Sequence, residues 1–412
     1  MERSLNYVSN LTILLPLALV TGPFFSDLIV TLGALYFLIY CLKNNELKYF
    51  NNYFFKIFFL FWVYIVVTSF FSEKILISLK VTLPYIRFGL FVSLIFFLVK
   101  NKENYLEKFA ITTIIVYCIV LLDSYFQFIF GFNILGFVSP QENRLTSFFG
   151  DEMVVGSFLS RLFPFVLFCI LIVSKKYHNG IKYLCPILLI LSDVIIYMSG
   201  ERTSFGILLM INFAFLILIS QMKIIRLVTF VISLSIIFLI SLNSSIVKNR
   251  MIDQTINDLG IKGNKIHLFS NIHQDHYETA YKMFKKNSIS GVGVKMFRYE
   301  CSKKVYESGK YSCTTHPHHL HLQILSETGL IGYMFVLFVL IFIIRKFIIT
   351  IYANYFKNNL DKNLDLQNCI LIGVFVNIFP FLPSGNFFNN WLSIIYFLPI
   401  GFYSLKNFKY GN

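Results

Sequence analysis

Long runs of Leu, Ile, Phe and Val, separated by polar connections, dominate the chain. A helix needs about 20 residues to cross a hydrocarbon core of about 30 Å, and many of the runs approach this length. The strict apolar–polar alternation of a transmembrane β-strand is absent, so the runs predict membrane helices. We predict about twelve, at residues 7–22, 25–42, 54–71, 82–99, 110–131, 154–174, 181–199, 204–220, 226–242, 328–344, 367–383 and 390–405.

One long polar stretch, residues 243–317, separates the ninth run from the tenth. A structureless connection of this length is uncommon in a compact protein, so we expect a folded or functional element. Helical periodicity at 276–284 and 324–330 predicts short helices lying on the membrane surface. The predicted fold is a single all-α integral membrane domain. Transmembrane helices 1–9 occupy residues 1–242, a large outer loop occupies 243–327, and helices 10–12 occupy 328–412.

The first run has no small-residue cleavage site and is followed at once by another, so we expect a retained helix rather than a removed signal peptide. Positive charge is concentrated in the connections that follow even-numbered runs, for example at Lys223 and Arg226. The short connections after odd-numbered runs carry only four such residues: Lys74, Lys80, Arg144 and Arg202. Because positive charge marks the cytoplasmic side, both termini should be cytoplasmic and residues 243–317 should lie outside.

Composition changes this picture little. With 56% hydrophobic and 14% charged residues, the chain is not a soluble globular domain. The net charge of +15 is mostly a topology signal, and no basic face of a soluble domain is present to bind nucleic acid. Five of the seven cysteines lie in or beside apolar runs, but Cys301 and Cys313 lie in the outer loop. An oxidising compartment would allow these two to pair; two free thiols are the alternative.

Five arginines gather on the predicted outer side: Arg87, Arg144, Arg161, Arg202 and Arg250. Arg202 stands in a short turn, Arg144 in the loop after the fifth run, and Arg250 at the start of the large loop. The other two lie inside runs four and six, where a guanidinium is costly and is a functional hypothesis by default. Guanidinium groups match phosphate oxygens, so we predict that this set binds a lipid pyrophosphate. For the two inside runs, snorkelling or an internal pair with Asp151 or Glu152 is the alternative.

Four of the eight histidines, His316, His318, His319 and His321, stand just before the tenth run. One of them could act as a general base near neutral pH. A metal site is a second interpretation, with His318 and His321 one helical turn apart, but no acidic or Cys partner lies in the segment. A third is an interfacial helix whose imidazoles meet lipid headgroups. Pro317 would direct the chain so that His318 starts a helix.

The segment from His318-His319 to Gly329-Leu330-Ile331-Gly332 resembles the signature of the O-antigen ligase and polymerase superfamily, in which a His stands nine residues ahead of a Gly-containing tetrad. The segments 144–156, 200–206 and 291–293 also resemble family landmarks. His319 departs from the pattern, because the family usually has Asn, Ser or Gln there. An imidazole can still donate or accept a hydrogen bond, so a supporting, substrate-binding role is retained.

The resemblance implies a multi-pass glycosyltransferase of the bacterial inner membrane, independent of metals and cofactors, with its active site in the periplasm. Its donor would be a glycan on undecaprenyl pyrophosphate, and its acceptor lipid A-core oligosaccharide. His318 matches the family's catalytic His, while Arg202 and Arg250 match arginines associated with the donor pyrophosphate. Arg87, Arg144 and Arg161 are further candidates for binding substrate.

Two other functions remain open. A repeat-unit polymerase would use the same donor and differ only in its acceptor; the His-to-Gly signature favours the ligase. A flippase or other transporter of lipid-linked sugars belongs to another class. Transporters place ionisable residues near the bilayer midplane, whereas here they cluster at one end of the spans, which argues against transport.

Overall fold

The computed structural model describes residues 2–403, except residues 143, 175, 177, 261–268 and 358–360. Within these ranges the chain is helical, and the one β pairing is an isolated bridge between Phe132 and Val138. The helices before the long polar stretch are α1 (Glu2–Ile13), α2 (Leu15–Thr21), α3 (Pro23–Lys43), α4 (Tyr53–Ser69), α5 (Ile75–Thr82), α6 (Ile86–Asn101), α7 (Tyr105–Phe130), α8 (Val155–Val173), α9 (His178–Met198), α10 (Arg202–Leu218) and α11 (Lys223–Asn243). Those that follow are α12 (Ser245–Lys248), α13 (Gln254–Asp258), α14 (Asn271–Lys286), α15 (Phe297–Glu300), α16 (Leu320–Phe356), α17 (Lys362–Asn377) and α18 (Asn390–Phe397).

Every one of the twelve predicted segments contains a helix, but their lengths differ. Within the described ranges, six spans are long and apolar enough to cross a membrane: α3, α5 together with α6, α7, α8, α11 and α16. A seventh arises if α1 and α2, which meet at a 47° bend, count as one span. An α-helical membrane protein is therefore confirmed, whereas the number twelve stays a prediction.

Helix α8 forms the centre of the bundle. In its apolar window, 89% of the residues are buried inside the protein. It packs against α7, α9, α10 and α17, so protein rather than lipid surrounds it on all sides. Burial of a whole apolar helix in this way is expected for a central helix of a multi-pass bundle.

Helices α11 and α16 lie at the periphery, with 28% and 17% of their apolar windows buried. Large side chains such as Phe238, Leu242 and Phe338 are more than half exposed. Exposing so much apolar surface to water is unfavourable, whereas contact with the hydrocarbon of a bilayer is not. The outward faces of these helices therefore identify the lipid-facing surface of the molecule.

Arg226 departs from its predicted place as a cytoplasmic surface charge. Its guanidinium pairs with Asp193 of α9 at 2.7 Å, and both side chains are fully buried. It also stacks on the ring of Phe163, 4.9 Å from the ring centroid. The prediction was wrong for this residue, because a carboxylate on the neighbouring helix compensates the charge inside the bundle.

In its described residues, the long polar stretch contains the helices α12 to α15. The periodic segment 276–284 lies within α14, as predicted. The segment 324–330 is not a separate surface helix: it belongs to α16, which begins at Leu320 and continues through the predicted span. The polar stretch is thus attached directly to a spanning helix, and α14 packs along the first turns of α16.

A backbone clamp, residues 288–293 against 326–331, joins the stretch to α16 at a kink. The N–H groups of Val292 and Gly293 donate to the carbonyls of Ser326 and Glu327, each at 2.9 Å. At the kink Gly329 has φ of +65°, and a Cβ there would meet the Ile289 carbonyl oxygen at 2.2 Å. Only glycine allows the two backbones to approach so closely.

Cys301 and Cys313 form a disulfide, which decides between the two alternatives left open by their spacing. The bond closes a short loop just ahead of the histidine segment. The sulfur of Cys301 is buried against the core of the polar stretch, beside Phe297 and Tyr306. The covalent bond therefore constrains the loop 301–313, while the backbone clamp separately fixes the polar stretch to α16.

Candidate active site

The backbone carbonyl of His318 accepts two hydrogen bonds that fix the position of the residue. Its carbonyl accepts from the Ser384 N–H at 2.9 Å and from the Tyr277 hydroxyl at 3.4 Å. Its φ of +53° lies in the left-handed region, which a residue with a side chain rarely adopts. His318 does not start the helix, as the sequence predicted: α16 begins at Leu320, and His319 is its N-cap.

Three other imidazoles surround the ring of His318. The ring centroids of His316, His276 and His273 lie 4.1, 5.5 and 5.8 Å from it. We call these four residues the histidine cluster. His316 belongs to the sequence motif, but His273 and His276 come from α14 and were not predicted. Their spacing of three, which places both on one face of an amphipathic helix, was the signal available in the sequence.

Burial keeps the cluster uncharged. It lowers the pKa of His318 to about 4, with a further contribution from His273. It lowers the pKa of His316 to about 3, because the ring is buried and lies near His318 and Arg298. The pKa values of His273 and His276 are lowered for the same reason. At neutral pH the ring of His318 is therefore neutral, which is the form that can accept a proton.

Arg202 and Arg250 are both anchored near the segment that follows α11. The guanidinium of Arg202 pairs with Asp258 at 2.8 Å and reaches the Thr255 hydroxyl at 3.4 Å. Arg250 donates to the Gly200 carbonyl at 3.1 Å and to Gln254 at 2.7 Å. The predicted outer turn and the start of the large loop thus meet in space, as the topology predicts.

Arg144 completes this arginine cluster, which we define as Arg144, Arg202 and Arg250. Its Nη2 donates to the Met153 carbonyl at 2.8 Å, while its Nε is buried without a partner. Burial lowers its pKa, Glu201 opposes the shift and Arg202 adds to it. The pKa of Arg250 is lowered by burial and then by Arg144 and Arg202. Three mutually repelling guanidinium groups favour a bound anion between them.

Glu201 organises the turn that carries Arg202. Its carboxylate is buried and accepts from the N–H groups of Gly156 and Ser157, at 2.7 and 3.1 Å, at the start of α8. Burial raises its pKa, and Arg144 and these hydrogen bonds oppose the rise. The carboxylate therefore fixes the α9–α10 turn against α8 and sets the position of Arg202 beside it.

A pocket opens at the arginine cluster. Arg144, Arg250 and Glu142 line it together with apolar side chains that include Leu145 and Ile246. Charged groups that share a pocket with apolar walls suit an amphipathic ligand with an anionic head. A lipid-linked phosphate has this character.

The two clusters adjoin through His273. Arg202 and Asp258 lie close enough to influence the pKa of His273, although burial and His276 have the larger effects. The ring of His273 is in turn 5.8 Å from that of His318. The neutral base and the guanidinium groups therefore lie at the same end of the bundle.

Arg87 and Arg161 lie outside both clusters. Arg87 pairs with Asp27 at 2.8 Å and donates to the Pro84 carbonyl. Arg161 donates to the Ser157 hydroxyl and to the side-chain oxygen of Asn377. Both have internal partners, as the alternative interpretation held, but these are not Asp151 and Glu152. A role for either arginine in binding substrate stays a prediction.

The other two motif histidines support the backbone. His319 Nδ1 accepts from the Leu322 N–H, and its Nε2 donates to the Pro380 carbonyl at 2.9 Å. His321 Nε2 donates to the Ile378 carbonyl at 2.7 Å. Both ring nitrogens of His319 are thus engaged, so its substrate-binding role also stays a prediction. Among the residues that the structure describes, no group of three or more His, Cys, Asp or Glu is placed to hold a metal ion.

Comparison with known proteins identifies part of the chain. Residues 187–337 match a family model described as O-antigen ligase. The matched region contains Arg202, Arg250 and His318, and it excludes Arg87, Arg144 and Arg161. No curated protein matches the chain.

Proposed function

From the match of residues 187–337 to the O-antigen ligase family model, we propose that the chain is a glycosyltransferase acting on the periplasmic face of a bacterial inner membrane. It transfers a glycan from undecaprenyl pyrophosphate to lipid A-core oligosaccharide. What supports the proposal is that the imidazole of His318 and the arginine cluster lie at the same end of the helical bundle, where His273 links them: its ring is 5.8 Å from that of His318, and Arg202 influences its pKa. Both substrates are lipid-anchored, so this end is where they would meet.

The arginine cluster binds the donor pyrophosphate. The charges of Arg144, Arg202 and Arg250 repel one another, and an anion with several oxygens relieves that repulsion. Guanidinium groups stay charged at every working pH, so they stabilise the charge that develops on the leaving pyrophosphate. The apolar side chains of the same pocket, such as Phe128 and Ile246, accept the first part of the lipid chain.

His318 activates the acceptor. A ring nitrogen takes the proton of the acceptor hydroxyl while its oxygen forms a bond to the anomeric carbon of the donor sugar. The bond between that carbon and the pyrophosphate oxygen breaks with its electron pair, and the lipid pyrophosphate leaves among the arginines. Burial keeps the ring neutral for this step, and its backbone contacts to Ser384 and Tyr277 fix its position.

The acceptor distinguishes a ligase from a repeat-unit polymerase, since both would use the same site and donor. The His-to-Gly signature favours lipid A-core as acceptor. A transfer assay with purified protein, defined donor lipid and both acceptors decides the question. Product on lipid A-core alone supports the ligase, and product on lipid-linked repeat units supports the polymerase.

Substitution of the two key residues tests the mechanism. His318→Ala should lower the transfer rate by about 100- to 10,000-fold while donor binding is kept. Arg202→Ala should weaken donor binding and lower the rate together. The matched control is Arg345→Ala, an exposed arginine on α16 outside both clusters, and it should change neither. If His318→Ala kept its transfer rate, or if the protein moved donor across the membrane without forming product, the proposal would be refuted.

A further inference from the structure

Arg298 lies on the short helix α15, and in the described part of the chain no acidic side chain forms a salt bridge with it. Its side chain is half-buried, and its Nε is buried without a hydrogen-bond partner. Lys295 lies nearby, and its pKa is lowered by burial and then by Arg298. A guanidinium so placed, with a second cation beside it, is costly unless a ligand supplies negative charge.

Arg298 is directed to the histidine cluster by the packing of α15. Phe297 is fully buried among Ala280 and Met283 of α14, and its N–H donates to Glu327 of α16 at 3.3 Å. The next residue, Arg298, lies close enough to His316 to lower its pKa. The ring of His316 is in turn 4.1 Å from that of His318.

Two more polar atoms without partners belong to residues that contact His318, one through its ring and one through its backbone. His276 is 5% exposed, and its Nδ1 has no hydrogen-bond partner. The Ser384 hydroxyl is also buried without one, although the N–H of that residue donates to the His318 carbonyl. Buried polar atoms are almost always paired, so several orphaned atoms beside one base indicate an absent polar ligand.

The position of Arg298 indicates that it contacts the acceptor rather than the donor. Two different imidazoles link His318 to the two cationic regions: His316, 4.1 Å from the ring of His318, lies near Arg298, and His273, 5.8 Å from it, lies near Arg202. In a direct displacement at an anomeric carbon, the hydroxyl that attacks and the group that leaves stand on opposite faces of the sugar. Since the arginine cluster holds the leaving pyrophosphate, the region of Arg298 faces the acceptor.

We propose that Arg298, with His276 and Ser384, forms an acceptor subsite for an anionic substituent, a phosphate or a carboxylate, on the saccharide whose hydroxyl His318 activates. The inference rests on the proposed transfer reaction and adds the charge of its acceptor. The guanidinium pairs with the anion, while the imidazole of His276 and the Ser384 hydroxyl bind neighbouring polar groups of the sugar.

The test uses the full-length protein in lipid nanodiscs and one acceptor saccharide in three forms: phosphorylated, carboxylated and neutral. Arg298→Gln should raise the KM for one or both anionic forms by about tenfold to a hundredfold and leave the neutral form unaffected. The form that suffers the loss identifies the anion. Arg298→Lys keeps the positive charge but not the two parallel N–H donors of the guanidinium group. Its KM for the anionic acceptors should therefore lie between those of the wild type and Arg298→Gln. Lys304→Gln, an exposed residue of the neighbouring loop, is the matched control.

Three results would overturn the inference: an unchanged KM for all acceptors, an equal loss with the neutral form, or a raised KM for the donor. The last would place Arg298 in the donor site. Donor binding by each variant, measured in parallel, shows that the variant is folded. If the wild-type protein forms no product with any acceptor, the proposed function fails; if it uses charged and neutral acceptors equally well, only the subsite is refuted.

Discussion

At the scale of single residues, the central feature is an imidazole made neutral by its surroundings. His318 is buried among three other imidazoles, and a proton on any of them would be poorly solvated and would repel its neighbours. Its left-handed backbone conformation is strained for a residue with a side chain, and contacts from Ser384 and Tyr277 maintain it. Strain held in place at a candidate base is typical of a preorganised site.

The first prediction concerns pH. Only the neutral ring accepts a proton, so kcat/KM should fall as pH is lowered through the pKa of His318 in the free enzyme. With that pKa at about 4 rather than about 6.5, the acid limb should lie well below pH 6. Initial transfer rates across this range measure it. An acid limb near pH 6.5 would show that the ring is solvated like an ordinary histidine.

The lowered pKa of His318 also affects the stability of the fold. A control must therefore distinguish loss of the folded protein from a lower transfer rate. A folded pKa below the unfolded value means that the unfolded chain binds more protons between about pH 4 and 6.5, so the folded state loses stability as pH falls through that window. Unfolding temperatures in the same buffers show whether a lower rate reflects protonation of His318 or loss of the fold.

At the scale of elements, the backbone clamp between residues 288–293 and 326–331 explains why glycines recur near the histidine motif. Gly291 and Gly329 both have positive φ, and a Cβ on either would come within 2.6 Å of opposing backbone atoms. The clamp fixes the polar stretch to the start of α16, and therefore α14 to the segment that carries His318. The glycines thus act on the site through the position of two helices rather than by contact with substrate.

The second prediction is that Gly329→Ala destabilises the protein by several kcal/mol, because the new Cβ would meet the Ile289 carbonyl and the backbone cannot yield. Gly22→Ala is the matched control: its φ is also positive, but nothing lies within 4 Å of the added atom. It should cost only the conformational strain of about 1–3 kcal/mol. Thermal unfolding in detergent compares the two, and equal losses would show that the close approach does not matter.

At the scale of the whole molecule, six separate segments meet at one end of the bundle. They are the α7–α8 connection, the α9–α10 turn, the segment after α11, α14, the histidine motif and the α17–α18 connection. A site assembled from so many connections requires that all of them lie on one side of the membrane. The uneven distribution of Lys and Arg predicts that this side is periplasmic, with both termini in the cytoplasm.

The third prediction tests that topology. Gln141→Cys, in the α7–α8 connection, should react with a membrane-impermeant maleimide in intact spheroplasts. Glu103→Cys, in the α6–α7 connection, should react only after permeabilisation. Both positions are exposed, whereas four of the five free native cysteines are buried, so background labelling should be low. If the labelling pattern were reversed, the site would face the cytoplasm, and the proposed transfer from a periplasmic lipid-linked glycan would be excluded.

The α-helical membrane fold and the resemblance to the O-antigen ligase family could both be predicted from the sequence, because hydrophobic run length and a short motif are local information. The sequence also predicted His318, Arg202 and Arg250 as site residues; the structure brings the three to one end of the bundle, and their roles stay a prediction. The sequence predicted the helix at 276–284 correctly but placed the start of α16 too late. The part of a spanning helix that extends beyond the membrane is not apolar throughout, so hydrophobic run length does not report it.

Only the tertiary structure decided which side chains meet. His273 and His276 join His318 because α14 packs on α16, and no local pattern reports a contact between segments more than 40 residues apart. The side chain of Arg226 is buried because it forms an ion pair with Asp193 on α9, whereas its position in a basic connection had predicted a surface charge. Arg298 stands beside the histidine cluster for the same reason. The environment of an ionisable group, and so its chemistry, is a property of packing between distant elements.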